Sequence, residues 1–369
     1  MFDRRLFRNF DYLLLLTVFS IVAVSLVVIS SASQSNFTGD PFYYTKRQAS
    51  LFIVGLVIML IVISIDYTQF YRLAPYLYAL NIGLLLAVIF IGKDSGGAQR
   101  WLDLKFFNLQ PSEFAKLIII ISLARHLAAR EGYFENVFSV IPAFLHVAAP
   151  IILIFLQPDL GTSLVFIVIL FGMLFMAGVK LKHLFTYATL GTLVGFPLLW
   201  LKLKEYQKMR LFIFLNPEQD KLGFGYQIIQ SMIAIGSGGL HGKGLFAKGT
   251  QNLLEFLPET HTDFIFSALA EETGFIGSVV LLLLFALLIL RVIWIGSQAK
   301  DTFGMLICIG IATMFTFHVL VNVGMTIGMM PVTGLPLPFT SYGGSSLLMN
   351  MIAIGLVLSI GMRRQKLMF

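Results

Sequence analysis

The sequence predicts an all-α integral membrane protein with about ten transmembrane helices. Hydrophobic residues make up 57% of its 369 residues, and charged residues only 12%. The apolar residues occur in long, nearly uncharged runs of about the 20 residues that a helix needs to cross a hydrocarbon core of about 30 Å. This composition excludes an ordinary soluble protein and favours a single polytopic membrane domain over residues 1–369.

Ten windows of the sequence are long and apolar enough to be predicted as spans. They are 12–31, 48–65, 73–92, 112–130, 138–156, 160–178, 183–202, 265–290, 303–328 and 344–362. The first exceeds the apolar region of a secretory signal, which has about 7–15 residues, so we predict a span there and not a cleaved signal. Trp101, Trp200 and Trp294 fall near predicted span ends, as an interfacial aromatic belt would place them.

An even number of spans places both termini on the same side of the membrane. Apart from the long connection at 203–264, 13 basic residues then share that side and only five (Lys46, Arg47, Lys93, Arg100 and Lys105) mark the short loops opposite. The positive-inside rule makes the first side cytoplasmic. The net charge of +7 is scattered over loops. It favours anionic lipid headgroups or an anionic lipid-linked substrate as partners, and not nucleic acid.

One long polar connection, residues 203–264, is predicted to lie outside the cell between helices 7 and 8. Connections between bundled helices usually have about 2–8 residues, and much longer ones are usually functional or disordered. Apolar stretches such as IIQSMIAIG at 228–236 argue against disorder. We expect short helices here that lie over the outer mouth of the bundle.

The stretch LPETHTDFIFSALAEE, residues 257–272, gathers acidic residues beside an apolar span. They are Glu259, His261, Asp263, Glu271 and Glu272. Ionised groups near hydrocarbon are costly and tend to be functional, which makes Asp263 the leading catalytic candidate. The alternative is that Asp263 only caps the next helix. The stretch has no HExxH or Cys/His spacing that would indicate a dedicated metal site.

Three further groups have both a structural and a functional interpretation. The glycine-rich run at 236–244 is either a flexible turn or, with His241, Lys243 and Lys248, a pyrophosphate-binding loop that is not a Walker A motif. Glu113 and Lys116 share a helix face, as an ion pair or as the wall of a polar cavity. Asp159 either complements a helix N-terminus or contributes to a site.

Several segments, taken in order, resemble one known family. They are GAQRWLDL (97–104), QPSEFAK (110–116), QPDLGTS (157–163), GYQIIQSMIAIGSGGLHGKG (225–244), LPETHTDFIF (257–266) and the run from Asn322 to SYGGSS (341–346). The chain resembles the SEDS family of membrane proteins, the RodA, FtsW and SpoVE groups, and among these most closely the elongation-associated RodA group. Thr340 and Asn216 depart slightly from the family pattern.

The resemblance implies a peptidoglycan glycosyltransferase that polymerises lipid II at the outer face of the cytoplasmic (inner) membrane, for cell elongation and rod shape. The 4-hydroxyl of the acceptor attacks the anomeric carbon of the donor, and undecaprenyl pyrophosphate leaves. A single inversion needs a base and no covalent intermediate. Asp263 matches the essential aspartate of the family, so the resemblance implies that it is this base.

The resemblance also implies substrate-binding residues and partners. The leaving pyrophosphate needs positive charge from Arg210, Lys243, Lys248 or a divalent cation, Mg²⁺ or Mn²⁺. Glu113, Lys116, Asp159 and His261 complete the predicted substrate site. The expected protein partners are a class B penicillin-binding protein, docked on spans 265–290 and 303–328, and other membrane proteins of the elongation complex.

Two other functions suit parts of the same sequence. A lipid II flippase would also have ten spans and the intramembrane Glu113 and Lys116, but the two halves show no corresponding pair of interrupted spans. A non-catalytic scaffold for the penicillin-binding protein would leave the acidic residues at 257–272 unexplained.

Overall fold

The computed structural model describes residues 9–364 with the exception of 34–39, 96–97, 104–107, 131, 133, 135, 221–222, 248 and 251–259. Within these residues the chain is almost entirely helical. The helices are α1 (Tyr12–Ala32), α2 (Tyr43–Ser64), α3 (Tyr67–Ile91), α4 (Pro111–Ala128), α5 (Ile141–Leu156), α6 (Leu160–Met176), α7 (Leu181–Leu190), α8 (Phe196–Lys202), α9 (Glu205–Leu215), α10 (Phe224–Gly238), α11 (Ile265–Ser297), α12 (Thr302–Thr326) and α13 (Gly344–Met362).

Shorter elements connect these helices. Strands β1 (Lys93–Ser95), β2 (Ala98–Asp103) and β3 (Asn108–Leu109) form a small antiparallel sheet between α3 and α4. A 3-10 turn at Val137–Val140 leads into α5, and a π-helical turn at Gly191–Gly195 joins α7 to α8 in one continuous segment.

Each of the ten predicted windows contains a helix, so the predicted fold class is confirmed. Eight described segments are long and apolar enough to cross a membrane: α1, α2, α3, the segment with α5, the segment with α7 and α8, α11, α12 and α13. Helix α6 is apolar but has only 17 residues. Helix α4 has 18 residues and carries Glu113, Lys116 and Arg125. The protein is therefore a multi-pass membrane protein, and the count of ten spans stays a prediction.

Side-chain caps explain where several helices begin. Asp11 accepts a hydrogen bond from Leu14 N at the start of α1, and Asp66 accepts one from Thr68 N at the start of α3. Such caps satisfy amides that have no partner within the helix. Helices α2 and α3 begin at Tyr43 and Tyr67, before the predicted spans at 48 and 73, because polar and aromatic residues form their first turns.

The most deeply buried helices are α4, α12 and α13. Helix α13 packs against α2 and α4, and α12 packs against α4, α6 and α11. The best apolar window of α13 is 94% buried, whereas that of the 181–202 segment is 6% buried. The exposed apolar side chains of the 181–202 segment suit contact with lipid, because they require no other cover there.

The bundle has two ends, which we name by the residues found there. At the termini end, Asp11 at the start of α1 pairs with Arg291 of α11 at 2.9 Å, and Asp66 at the start of α3 pairs with Arg363 just after α13 at 3.3 Å. Arg291 and Arg364 both lie over the Trp294 ring, so the start of α1 and the end of α13 are on one side. The opposite, Asp263 end carries the start of α11 and the segment from 203 to 264. Helices α9 and α10 lie in that segment, and α10 packs on α11 and α12.

Helix α11 is broken at Gly274, where φ is 70° and ψ is −164°. In an unbroken α-helix, the amides of Phe275 and Ile276 would donate to the carbonyls of residues 271 and 272. Instead, Phe275 N donates to Gly239 O and Ile276 N to Leu240 O.

The carbonyls left over at this break are also satisfied by the 239–246 loop. Lys243 N donates to Glu271 O at 2.9 Å, and Gly244 N donates to Glu272 O at 3.0 Å. The loop therefore replaces both missing helical bonds and fixes the glycine-rich run against α11.

Candidate active site

Asp263 lies in the turn that leads into α11, where its side chain is partly exposed at the Asp263 end. Its backbone carbonyl accepts a hydrogen bond of 3.0 Å from Nδ2 of Asn322 in α12. Its carboxylate lies against Gly334, because a Cβ atom at Gly334 would be 3.4 Å from Oδ2 of Asp263. Gly334 has a φ of 71°, which glycine adopts without strain.

Residues 331–343, which we call the 331–343 segment, form an extended wall beside Asp263. Side chains from distant helices hold its backbone: Asn322 Nδ2 donates to Leu335 O at 2.8 Å, Ser25 Oγ to Thr340 O at 2.7 Å, and Gln48 Nε2 to Ser341 O at 3.2 Å. These donors come from α12, α1 and α2, so side chains of three helices hold the wall in place.

Arg210 on α9 is a basic residue that interacts with Asp263. It interacts electrostatically with both Asp263 and Asp159. Its guanidinium stacks on Phe224 at 4.4 Å, and Nη1 donates to Val332 O at 3.3 Å. Burial lowers the pKa of Arg210 from its usual value. Within the described residues, the buried Nε of Arg210 has no hydrogen-bond partner. The guanidinium therefore retains a donor for a ligand.

A small cavity of about 60 Å³ adjoins Arg210. Its lining includes Asp159, Arg100, Tyr206 and Thr333. Asp159 caps α6: Oδ1 accepts from Thr162 N at 3.2 Å, and Oδ2 accepts from Thr162 Oγ1 at 2.9 Å. Asp159 therefore has the capping geometry that the sequence offered as one alternative, and it also faces the cavity beside Arg210.

His261 lies two residues before Asp263 in a cluster of aromatic rings. Its ring centroid is 4.4 Å from that of Tyr44 and 5.7 Å from that of Tyr342. The backbone carbonyl of His261 accepts from Tyr342 N at 2.8 Å. His261 thereby attaches the turn before α11 to the 331–343 segment.

Glu113 and Lys116 form a buried ion pair on α4, with Lys116 Nζ 2.8 Å from Glu113 Oε1. Lys116 has no exposed surface, and its Nζ also lies 3.1 Å from Nε2 of His318. His318 Nδ1 lies 3.0 Å from the carbonyl of Pro336 in the 331–343 segment. The pair is thus connected to the wall of the site through His318.

Lys243 is paired elsewhere along α11. Its Nζ lies 2.7 Å from Oε1 of Glu271, whose side chain is fully buried. The neighbouring Glu272 accepts a hydrogen bond of 2.6 Å from Ser31 Oγ of α1. These contacts fix the 239–246 loop, and a role of Lys243 in binding substrate stays a prediction. Lys248 and Glu259 lie outside the described residues.

Metal binding stays a prediction as well. Across the described ranges, no group of three or more His, Cys, Asp or Glu side chains is placed to hold a metal ion. Mg²⁺ is often bound by one or two carboxylates together with substrate phosphates. Asp263 together with a substrate diphosphate is a donor set that fits Mg²⁺ or Mn²⁺.

Three residues of this site were not predicted from the sequence: Arg100, His318 and Asn322. His318 and Asn322 are four residues apart in an otherwise apolar helix, so they share one face of α12. That spacing is a signal that would have indicated a polar face toward the site. Arg100 lies inside the GAQRWLDL segment, and its guanidinium donates to the carbonyls of Gln157 and Pro158.

Fold and site together define a polytopic helical membrane protein with a carboxylate and a buried guanidinium at one end of its bundle. The FtsW/RodA/SpoVE family model, described as "Cell cycle protein", matches residues 11–366. The chain belongs to this family, which confirms the resemblance that the motifs indicated.

Similar proteins cover nearly the whole chain. The peptidoglycan glycosyltransferase MrdB of Escherichia coli strain K12 is 42% identical over 360 residues, 97% of this chain and 95% of the relative. The Thermus thermophilus rod shape determining protein RodA is 32% identical, with a TM-score of 0.72, and the match covers 97% of this chain and 98% of that one. A chain from a study of structural coordination of polymerization and crosslinking by a peptidoglycan synthase complex is 34% identical, with a TM-score of 0.80, covering 95% and 97%.

Proposed function

We propose that this protein is a peptidoglycan glycosyltransferase that polymerises lipid II into glycan strands. The names of its relatives support this activity, since MrdB is a peptidoglycan glycosyltransferase and matches almost end to end. The structural observation that carries the proposal is the placement of Asp263. Asp263 is partly exposed at one end of the bundle: Asn322 holds its backbone carbonyl, its carboxylate lies against Gly334, and Arg210 interacts with it electrostatically.

Asp263 acts as the general base. Its carboxylate takes the proton of the acceptor 4-hydroxyl as that oxygen forms a bond to the anomeric carbon of the donor. The bond from the anomeric carbon to the diphosphate oxygen breaks on the opposite face, and the lipid diphosphate leaves with the electron pair. A positioned base contributes about 10²–10⁴ in rate.

Arg210 stabilises the leaving diphosphate. Its guanidinium is always protonated, and a planar fork matches phosphate oxygens in pairs. Low exposure strengthens such a contact, because water competes less for the donors. A divalent cation bound beside Asp263 would supply further neutralisation of the diphosphate.

The reaction takes place at the Asp263 end, which we place at the outer face of the cytoplasmic membrane. The excess of basic residues in the short connections at the opposite end supports this orientation, because the positive-inside rule is counted over short loops. The protein acts in elongation and rod shape, which the name of the Thermus thermophilus relative supports. Its partner is a class B penicillin-binding protein, and the similarity to a chain of a peptidoglycan synthase complex supports such an assembly.

Asp263→Asn tests the proposal, because it keeps the shape of the side chain and removes the base. The assay contains the purified full chain with its class B partner, labelled lipid II and Mg²⁺, and glycan products are resolved by length. We expect the rate to fall by about 10²–10⁴, while folding and partner binding persist.

Asp40→Asn is the matched control. Asp40 precedes α2 at the same end and pairs with the exposed Lys46 at 2.8 Å, so its loss should leave the rate unchanged. Equal chain synthesis by wild type and Asp263→Asn would overturn the assignment of the base. Absence of chains from every variant, with translocation of lipid II in vesicles by all of them, would favour the flippase.

A further inference from the structure

A second cavity lies near the termini end, away from Asp263. It is open on one side, has a volume of about 400 Å³ and is lined by residues of α3, α4 and α5 and of the two positions after α4. Pockets that bind small ligands generally have volumes of about 300–1,000 Å³. Exposed residues, among them Ala129 just after α4, line its opening.

Two arginines give this cavity its charge. Arg125 lies in the last turn of α4, and Arg130 follows two residues after the helix ends. In the part of the chain that the structure describes, neither forms an ion pair with a carboxylate. The guanidinium of Arg125 stacks on Tyr71 at 5.2 Å, which orients it without neutralising it.

Two imidazoles and a phenol form the wall behind the arginines. His126 and His146 stack at 5.6 Å, and Tyr78 stacks on His146 at 4.3 Å. His146 is held by Ser122, whose Oγ lies 2.9 Å from its Nε2. Nε2 of His126 is buried and, among the described residues, has no hydrogen-bond partner. A buried ring nitrogen without a partner is costly, so a ligand that bonded to it would stabilise the protein.

The geometry points to a phosphodiester as the ligand. Arginine forks match phosphate oxygens, and an imidazole N–H adds a further donor. Basic pockets between transmembrane helices on the cytoplasmic side bind the headgroups of acidic lipids. Leu145, next to His146, is 67% exposed and Tyr76, next to Pro75 at the opening, is 75% exposed, so apolar surface for acyl chains lies beside the cavity.

We infer that this cavity binds the headgroup of an anionic phospholipid from the leaflet at the termini end, with Arg125 and Arg130 on the phosphate and His126 as a further hydrogen-bond donor. Such a lipid would couple α4, which carries the Glu113–Lys116 pair, to α3 and α5. The inference is independent of the proposed polymerase activity, because it concerns a different end of the bundle and a different ligand.

Native mass spectrometry of the full chain in detergent tests the inference, with titrations of dioctanoyl phosphatidylglycerol, dioctanoyl phosphatidylcholine and inorganic phosphate. We expect saturable binding of one phosphatidylglycerol and weaker binding of the zwitterionic lipid. Arg125→Gln/Arg130→Gln should raise the dissociation constant roughly 30-fold, since each basic residue near an acidic lipid contributes about 1 kcal/mol.

Lys180→Gln/Lys182→Gln is the matched control, because it removes two positive charges from exposed positions at the same end. Equal weakening by the two double variants would overturn the site in favour of general surface charge. Competition by inorganic phosphate at the same concentration as the lipid would overturn the lipid assignment in favour of a soluble phosphate.

A second variant covers the case in which the arginine variant fails to fold. Ala129→Phe adds bulk at the exposed opening of the cavity and keeps both arginines. It should weaken binding of phosphatidylglycerol by at least tenfold without changing the melting temperature of the lipid-free protein. Unchanged binding by this variant would overturn the inference.

Discussion

Nζ of Lys116 lies 3.1 Å from Nε2 of His318, although the two residues are 202 positions apart in the chain. An ammonium only donates, so Nε2 of His318 is the acceptor and Nδ1 carries the proton. The proton on Nδ1 is then directed at the Pro336 carbonyl, 3.0 Å away. One tautomer of one histidine therefore connects the buried ion pair of α4 to the 331–343 segment beside Asp263.

Breaking this ion pair should strongly destabilise the protein. Glu113→Gln leaves the fully buried Lys116 with an uncompensated charge, at a cost of about 3–5 kcal/mol. Replacing both partners, in Glu113→Gln/Lys116→Met, should recover much of that loss because no isolated charge remains. SDS titrations of the purified variants measure the change, and a single variant as stable as wild type would contradict the prediction.

Arg210→Gln should lower kcat/KM for lipid II by about 10–150-fold, the equivalent of one hydrogen bond to a charged group of about 1.5–3 kcal/mol. The kcat/KM of Arg210→Lys should lie between those of wild type and Arg210→Gln, because lysine keeps the charge and lacks the planar guanidinium. Chain synthesis at several lipid II concentrations measures both effects.

Lys208→Gln provides the control for Arg210, since Lys208 lies on the same helix and pairs with the exposed Glu205 at 3.2 Å. Its kcat/KM should match that of wild type. If Arg210→Gln also matched wild type, Arg210 would have no role at the diphosphate.

The helical framework was predictable because apolar runs of membrane length report directly on spans. The site was predictable only in part. Motif spacing located Asp263 and the Glu113–Lys116 pair, but it did not indicate that Arg210 interacts electrostatically with Asp263 or that Lys243 pairs with Glu271. Those contacts join segments far apart in the chain, and local sequence patterns carry no information on which distant side chains meet.

The break in α11 shows the same limit in the backbone. A glycine within an apolar run suggests at most a weakened helix. The structure shows that the 239–246 loop packs against α11 at Gly274. Two amides of the helix donate to carbonyls of the loop, and two amides of the loop donate to carbonyls of the helix. The sequence also left the glycine-rich run open as a turn or an anion-binding loop, and its amides at residues 243 and 244 are bonded to α11.

Gly274→Ala should therefore loosen the loop as well as destabilise the helix. A side chain at φ 70° is strained by about 1–3 kcal/mol, and a Cβ atom there would lie only 2.6 Å from the carbonyl oxygen of Leu240. We expect faster hydrogen exchange over residues 239–246 together with lower stability.

Gly83→Ala is the control for this substitution, because nothing lies within 4 Å of a Cβ atom at Gly83 in the middle of α3. It should be neutral or stabilising by up to about 1 kcal/mol. Unaltered exchange in the 239–246 loop of Gly274→Ala would show that the loop does not depend on this break.

Asn322 should act as a positioning residue for Asp263. Its Nδ2 donates both to Asp263 O at 3.0 Å and to Leu335 O at 2.8 Å, so one amide fixes the base relative to the wall of the site. Asn322→Leu removes both bonds, each worth about 0.5–1.5 kcal/mol. Asn322→Asp should be worse, since a carboxylate would face two carbonyl oxygens.

A merely structural role and a positioning role of Asn322 predict different kinetics. If Asn322 positions the base, Asn322→Leu lowers kcat by about 5–150-fold and leaves KM for lipid II nearly unchanged, because only the alignment of Asp263 is disturbed. Asn350→Leu is the control: Asn350 is equally buried in α13, and its Nδ2 lies 3.5 Å from Ser346 Oγ in its own helix. Equal losses of kcat in both variants would reduce Asn322 to a packing residue, whereas a loss confined to Asn322→Leu would tie the rate to the orientation of Asp263.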